Sequence, residues 1–314
     1  MKFKNLKGSL MLLLATVIWG TAFVFQEEAV ALGSFTLNGL RYILGGIILI
    51  PLVLVLRGIE KRKSTATPIP FKNSLIAGVL CGIALAVAAN LQQFGIMFNA
   101  SLASGDSGKA GFITAMYIIF VPVLTTLFGK RLTPSVVISV LLGVGGLYLI
   151  SVKSGFSIAL GDVFLLLCAL SFSVHIMTVD RFVSKVDPVI LSSVQFFTVG
   201  IISMALSLIF ERETLSLSAV QDTGWSILYL GIMSSGVAYT LQVLGQKYSE
   251  ATVASLVMSL ESVFAMLAAC VFYSKTPSLR EGLGCGIMLV AIFIIQTPFV
   301  DNAFRRLKAK VLQK

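Results

Sequence analysis

Apolar residues fall in ten blocks along the chain, each bounded by charges or by Gly and Pro, and the blocks predict helices at about 9–28, 35–56, 73–96, 109–128, 134–151, 160–179, 189–210, 224–245, 251–273 and 280–298. A bilayer core about 30 Å thick takes about 20 apolar residues of helix, and a helix satisfies its own backbone where no water can. Ten such blocks use most of the 314 residues, so no separate soluble domain fits. The longest polar segment, Arg57 to Lys72, carries Lys61, Arg62, Lys63, Pro68 and Pro70 and reads as a basic loop. The basic start merges into Trp19, Gly20 and Glu27 without a small-residue cleavage site, so it reads as a retained first helix.

Composition agrees with the pattern. Of the residues 57% are hydrophobic and 12% charged, with a mean hydropathy of +0.95, whereas a soluble domain is about 25% charged. This is the composition of an integral membrane protein. The net charge of +10 would suggest nucleic acid in a soluble chain, but here the placement of the cations matters more than their sum, and no nucleic acid partner is expected. With the N-terminus inside, eighteen of the 24 Lys and Arg lie on the cytoplasmic side; only Lys109, Lys153, Arg212, Lys275 and Arg280 lie opposite, and Arg41 falls within a span. Both termini are therefore expected in the cytoplasm of a multi-pass protein of the inner (plasma) membrane. Cys81, Cys168, Cys270 and Cys285 all lie in apolar runs with no CxxC or Cys/His spacing, so neither a metal nor another cofactor is expected.

The two halves of the chain resemble each other. Gly8, Leu12, Leu13 and Leu14 fall on Gly161, Leu165, Leu166 and Leu167, and LQQFG ending at Gly95 falls on LQVLG ending at Gly245. After a stretch six residues longer in the first half, within Asn99 to Ser107, Ala110 to Phe120 falls on Ala254 to Phe264, which sets Tyr117 opposite Glu261. Thr133-Pro134-Ser135 then meets Thr276-Pro277-Ser278, and Gly143 meets Gly286. Five spans is an odd number, so the second copy enters the membrane from the other side. The expected fold is all-α, with ten transmembrane helices in two inverted five-helix repeats, 1–152 and 153–314, and a site near the midplane between them.

On these residues the chain resembles the EamA-type permeases of the drug/metabolite transporter superfamily. The resemblance covers essentially the whole chain. It is carried by Trp19-Gly20, Arg41, Lys109 to Thr114 leading to Phe120-Val121-Pro122, and Leu260-Glu261. It implies two five-helix halves around a central cavity opened alternately to each side, with small metabolites as substrates. Family members commonly have proline after the ninth-span glutamate; this chain has Ser262, so no proline kink is expected there.

Candidate site residues follow from polar chemistry inside the spans, where an ionisable group is costly and faces protein or a wet cavity. Glu261 shares a helical face with Ala254, Met258, Ala265 and Ala268; it reads as a proton carrier, as a partner for a cationic group, or as a hydrogen bond at a helix contact. His175, the only histidine, shares a face with Cys168, Ser171 and Thr178 and reads either as a proton relay or as a helix contact. Arg41, opposite about Gln195 in the repeat, reads as snorkelling, as paired with Glu27, Glu28 or another carboxylate, or as binding substrate. Trp19 with Thr16, Phe23 and Gln26 makes a mixed aromatic and polar face. Asn90, Gln92 and Gln93 mirror Thr240 and Gln242, with Tyr239 adjacent, and Tyr117 joins this group. Helix packing is the alternative for each.

The leading expectation is a secondary transporter of amino acids, related compounds or amphiphilic drugs, working as an exporter, with small solute and bilayer as partners and protons as a candidate coupling ion. The chain contains no GxxxxGK[ST], which excludes a single-chain P-loop pump. Two other classes compete: an intramembrane enzyme using Ser171 and His175 at i and i+4, and a channel or non-transporting membrane receptor. The enzyme leaves the repeat unexplained, and the channel or receptor lacks any polar ring or ligand domain in the sequence.

Overall fold

The computed structural model describes residues 6–62, 70–100, 107–151, 159–213, 216–274, 276–297 and 299–312, and these contain helices and no strands. The helices are α1 Leu6–Glu28, α2 Ser34–Arg62, α3 Phe71–Ala100, α4 Ser107–Thr114, α5 Tyr117–Leu127, α6 Pro134–Ser151, α7 Leu160–Phe182, α8 Pro188–Phe210, α9 Leu217–Asp222 and α10 Gly224–Tyr229. A π-helix, Leu230–Tyr239, follows, and then α11 Thr240–Gln246, α12 Ala251–Met258, α13 Glu261–Phe272, α14 Leu279–Gln296 and α15 Phe299–Leu312. Among the described residues nine segments are long and apolar enough to cross a membrane, and a shorter apolar helix covers Pro134–Ile150.

Three segments expected as continuous helices are not. The fourth divides into α4 and α5, the ninth into α12 and α13, and the eighth contains the π-helix. At both divisions the chain tightens to bonds of the i to i+3 kind, Met116 N to Ile113 O at 3.1 Å and Leu260 N to Val257 O at 3.2 Å. No proline is needed at position 262. Ser262 instead turns its Oγ to the Gly111 carbonyl of α4 at 2.9 Å, tying one divided helix to the other. The basic loop is also shorter than expected, because α2 continues to Arg62 and α3 begins at Phe71. Residues 63–69, most of the extra stretch at 101–106, and Lys2, Lys4, Lys153, Lys275 and Lys314 lie outside the described residues.

Local signals fix several helix starts. Asp187 accepts from the Val189 and Ile190 N–H groups at 2.8 and 2.9 Å with Pro188 in the first turn of α8. Ser278 and Glu281 form a reciprocal capping box on α14. The α2 start is capped from a distance: Glu211, just past α8, accepts from Phe35 N, Thr36 N and Thr36 Oγ1 at 3.1, 2.8 and 2.9 Å. Glu211→Ala is expected to lower stability by about 1–2 kcal/mol, the usual range for a lost cap with its dipole interaction. The readout is the thermal unfolding midpoint in detergent; an unchanged midpoint would mean that water caps α2 equally well.

The bundle is inside-out relative to a soluble one. Ile47, Leu54, Ile83, Val87, Leu141, Val174 and Ile201 are exposed on its outside, as lipid-facing side chains must be, while Gln26, Asn38, Arg41, Asn90, His175, Gln195 and Glu261 are buried inside it. Helices approach closely where the backbone carries no side chain. A Cβ on Gly95 of α3 would strike Leu165 and the Gly161 carbonyl of α7, and one on Gly245 of α11 would strike Leu12 and the Gly8 carbonyl of α1. These are the glycines that the sequence repeat matches, Gly8 with Gly161 and Gly95 with Gly245. Small residues allow such contacts, where packing rather than hydrophobic transfer drives association in lipid.

Candidate functional site

The divided helices meet at the centre of the bundle. There a small cavity is walled by Trp19, Ala22, Phe23 and Gln26 of α1, Arg41 of α2, Gln92 of α3, Thr114 of α4 and Tyr117 of α5. Phe172 and Ile176 of α7, Ser234 and Tyr239 of the π-helix, Gln242 of α11, Met258 of α12 and Glu261 of α13 complete the wall. Its lining has the character of small-molecule sites, which are mostly apolar with a few placed polar groups.

Glu261 is 5% exposed and accepts a hydrogen bond from the Tyr117 hydroxyl at 2.9 Å. The residues set opposite one another by the sequence repeat are thus in direct contact. Each also opens the second half of a divided helix, Tyr117 in α5 and Glu261 in α13. The carboxylate therefore sits in the first turn of α13, where the helix dipole favours negative charge.

Arg41 occupies the opposite electrostatic extreme. It is 1% exposed, and its Nε donates to Asn38 Oδ1 at 2.8 Å and its Nη1 to Gln26 Oε1 at 2.9 Å. Of the readings open for it, the pairing with Glu27 or Glu28 does not form: Glu27 meets Tyr273 Oη at 3.5 Å and Glu28 meets Ser226 Oγ at 3.3 Å. Snorkelling does not describe Arg41 either, because its head is held inside the bundle by amide oxygens.

Of the sequence-predicted site residues, Trp19, Tyr117, Tyr239, Gln242 and Glu261 line the cavity, with Trp19 packed edge-on to Tyr239 at 4.8 Å. Asn90, Gln93 and His175 are buried but stand behind it. Gln93 Nε2 donates to the carbonyl of Gln26, a wall residue, at 3.2 Å, and Asn90 Oδ1 accepts at 3.0 Å from Nδ2 of Asn38, which in turn holds the wall residue Arg41. His175 Nε2 meets Gln195 Oε1 at 3.2 Å. Ser171 gives its hydroxyl to the Leu167 carbonyl at 2.8 Å, so the two side chains named for an intramembrane enzyme have separate partners. Among the described residues no three His, Cys, Asp or Glu side chains come together as a metal site.

Several wall residues escaped the reading of the sequence, and the repeat register could have found them. Trp19 lies opposite Phe172, Phe23 opposite Ile176, Gln92 opposite Gln242, Thr114 opposite Met258 and Tyr117 opposite Glu261, and all ten line the cavity. Asn38 carries its own local signal, three residues before Arg41 on one helical face. Two wall atoms have no hydrogen-bond partner among the described residues, Trp19 Nε1 and Gln242 Oε1.

The model of the EamA-like transporter family matches this chain twice, over residues 6–152 and 159–297. An uncharacterized transporter of Archaeoglobus fulgidus is 27% identical over 93% of this chain and 86% of its own length. A WAT1-related chloroplastic protein of Arabidopsis thaliana is 27% identical over 89% of this chain and 67% of its own length. An uncharacterized transporter of Bacillus subtilis is 22% identical over 92% of this chain and 96% of its own. One crystal structure superposes with a TM-score of 0.72 over 92% of this chain and 96% of that one at 19% identity, a likeness of fold. With both halves of its length matched by one family model and its relatives named as transporters, the chain belongs to the EamA-like transporter family.

Proposed function

We propose that this chain is a secondary transporter of small metabolites such as amino acids, related compounds or amphiphilic drugs, and that it moves them by alternating access as an exporter. In this reading its ten spans form two inverted five-helix repeats, 1–152 and 153–314, in the inner (plasma) membrane with both termini in the cytoplasm. Protons are the coupling ion, carried at Glu261. The observation that carries the proposal is the cavity wall, where five pairs of repeat-matched residues face one space. Helix contacts add support, since the α3–α7 crossing at Gly95 and Gly161 has its counterpart in the α11–α1 crossing at Gly245 and Gly8. Two inverted copies can exchange conformations and so open one site to each side in turn.

Flux tests this directly. Purified protein in proteoliposomes loaded with one unlabelled amino acid at a time from a panel should show saturable counterflow of the labelled compound. No counterflow across the panel and a matching set of amphiphilic drugs, together with peptide cleavage, would sink the proposal. For direction, overexpression should protect cells against toxic amino acid analogues, and sensitisation would reverse the assignment.

A further inference from the structure

Arg41 is a buried charge with unspent hydrogen-bonding capacity. It lies seven residues into α2, about 10 Å along the helix at 1.5 Å per residue. A guanidinium has five N–H donors. Besides the bonds to Asn38 and Gln26, Nη2 donates to Tyr42 Oη at 3.5 Å, which leaves one donor on each terminal nitrogen. No carboxylate among the described residues lies within 4.0 Å of it. A buried ion without a counter-ion costs several kcal/mol, and amide oxygens offset that only in part.

The surroundings hold the guanidinium in one orientation. Asn38 Nδ2 donates to Asn90 Oδ1 at 3.0 Å and to the Ala89 carbonyl at 3.1 Å, so its Oδ1 has to face Arg41. Asn90 is fixed in turn through Nδ2 to Ser203 Oγ at 2.9 Å and to the Ala86 carbonyl at 2.8 Å. The same wall presents a second unpartnered donor, Trp19 Nε1, while its unpartnered acceptor, Gln242 Oε1, lies on another helix. Gln195, opposite Arg41 in the repeat, is uncharged, is not part of the wall and pairs with His175, so Arg41 is the one cation of the wall among the described residues.

We propose that Arg41 is the anchor for the carboxylate of a carboxylate-bearing solute with an apolar body, the body packing on Trp19, Phe23, Phe172 and Met258. The two free N–H groups suit a carboxylate's paired oxygens. This rests on reading the cavity as the substrate site.

Trp19 supplies the readout. The chain has two tryptophans, and Trp225 is 84% exposed and away from the wall. In a Trp225→Phe background the fluorescence reports Trp19 alone. Titration with phenylalanine and 3-phenylpropionate should give saturable changes, and phenethylamine, the same body without the carboxylate, should give none. Arg41→Gln should weaken binding of both carboxylates by roughly tenfold to a hundredfold, the value of a hydrogen-bonded charge. If that variant does not fold, Asn38→Asp keeps the guanidinium and gives it a resident carboxylate, and weakened binding is again expected. Equal binding of phenethylamine, undiminished carboxylate binding in a folded variant, or an Arg41-dependent response to sodium chloride alone that blocks both carboxylates would overturn the assignment. Arg41-dependent binding without counterflow in proteoliposomes would instead leave the anchor standing and remove the transporter reading. Counterflow of phenylalanine indifferent to Arg41→Gln would do the reverse.

Discussion

Glu261→Gln is expected to abolish accumulation driven by a pH gradient while leaving counterflow exchange of the same solute in place. The side chain is 5% exposed, accepts from Tyr117 Oη at 2.9 Å and borders the cavity. It forms no ion pair among the described residues. A carboxylate in that position can take up and release a proton as the cavity opens to each side, and glutamine keeps the shape but cannot. Tyr117→Phe separates positioning from proton carriage. It removes the hydroxyl that holds one carboxylate oxygen, and the loss of a hydrogen bond to a charged group, about 1.5–3 kcal/mol, should slow transport roughly tenfold to a hundredfold with pH coupling retained. The measurement is solute accumulation against an imposed pH gradient, beside counterflow at uniform pH. Normal accumulation by the Glu261→Gln protein would remove Glu261 as the proton carrier.

Gly95→Leu and Gly245→Leu should each destabilise the bundle strongly. At both positions a side chain would enter the space of a neighbouring helix's backbone carbonyl, from Gly161 and from Gly8 respectively. Overpacking a filled contact typically costs about 1–3 kcal/mol, and more where backbone has to move. Gly286 is the control, because nothing lies within 4 Å of a Cβ built there. Thermal unfolding in detergent should show both crossing variants well below the parent protein and Gly286→Leu close to it. Parent-like midpoints for the crossing variants would mean that the helices part without penalty. Gly286 also marks a limit of pattern reading: it falls on Gly143 in the repeat, yet a Cβ at Gly143 would strike Ile118 while one at Gly286 meets nothing.

Much of the architecture was legible because lipid imposes it. A backbone in hydrocarbon has to satisfy its own hydrogen bonds, so apolar length alone marked the helices, and the described helices follow the ten expected blocks with most ends shifted by a few residues. The repeat register was equally readable, and it carried Tyr117 to Glu261 before any geometry was known. The α2 start, in contrast, depends on Glu211 from some 175 residues away, and no local pattern announces such a cap.

The candidate site was only partly legible, for a reason that Arg41 makes plain. The sequence determined that this residue lies within a span and that a charge there needs a partner. Only the tertiary structure decided that Gln26 and Asn38 take that place rather than Glu27 or Glu28, because the two glutamates end α1 beside Tyr273 and Ser226 while Gln26 faces the bundle interior. Likewise Asn90, Gln93 and His175 were polar and inside spans, which is all that composition and periodicity record. Whether a buried amide faces a cavity or stands behind it depends on how neighbouring helices cross, a relation between segments far apart in the chain.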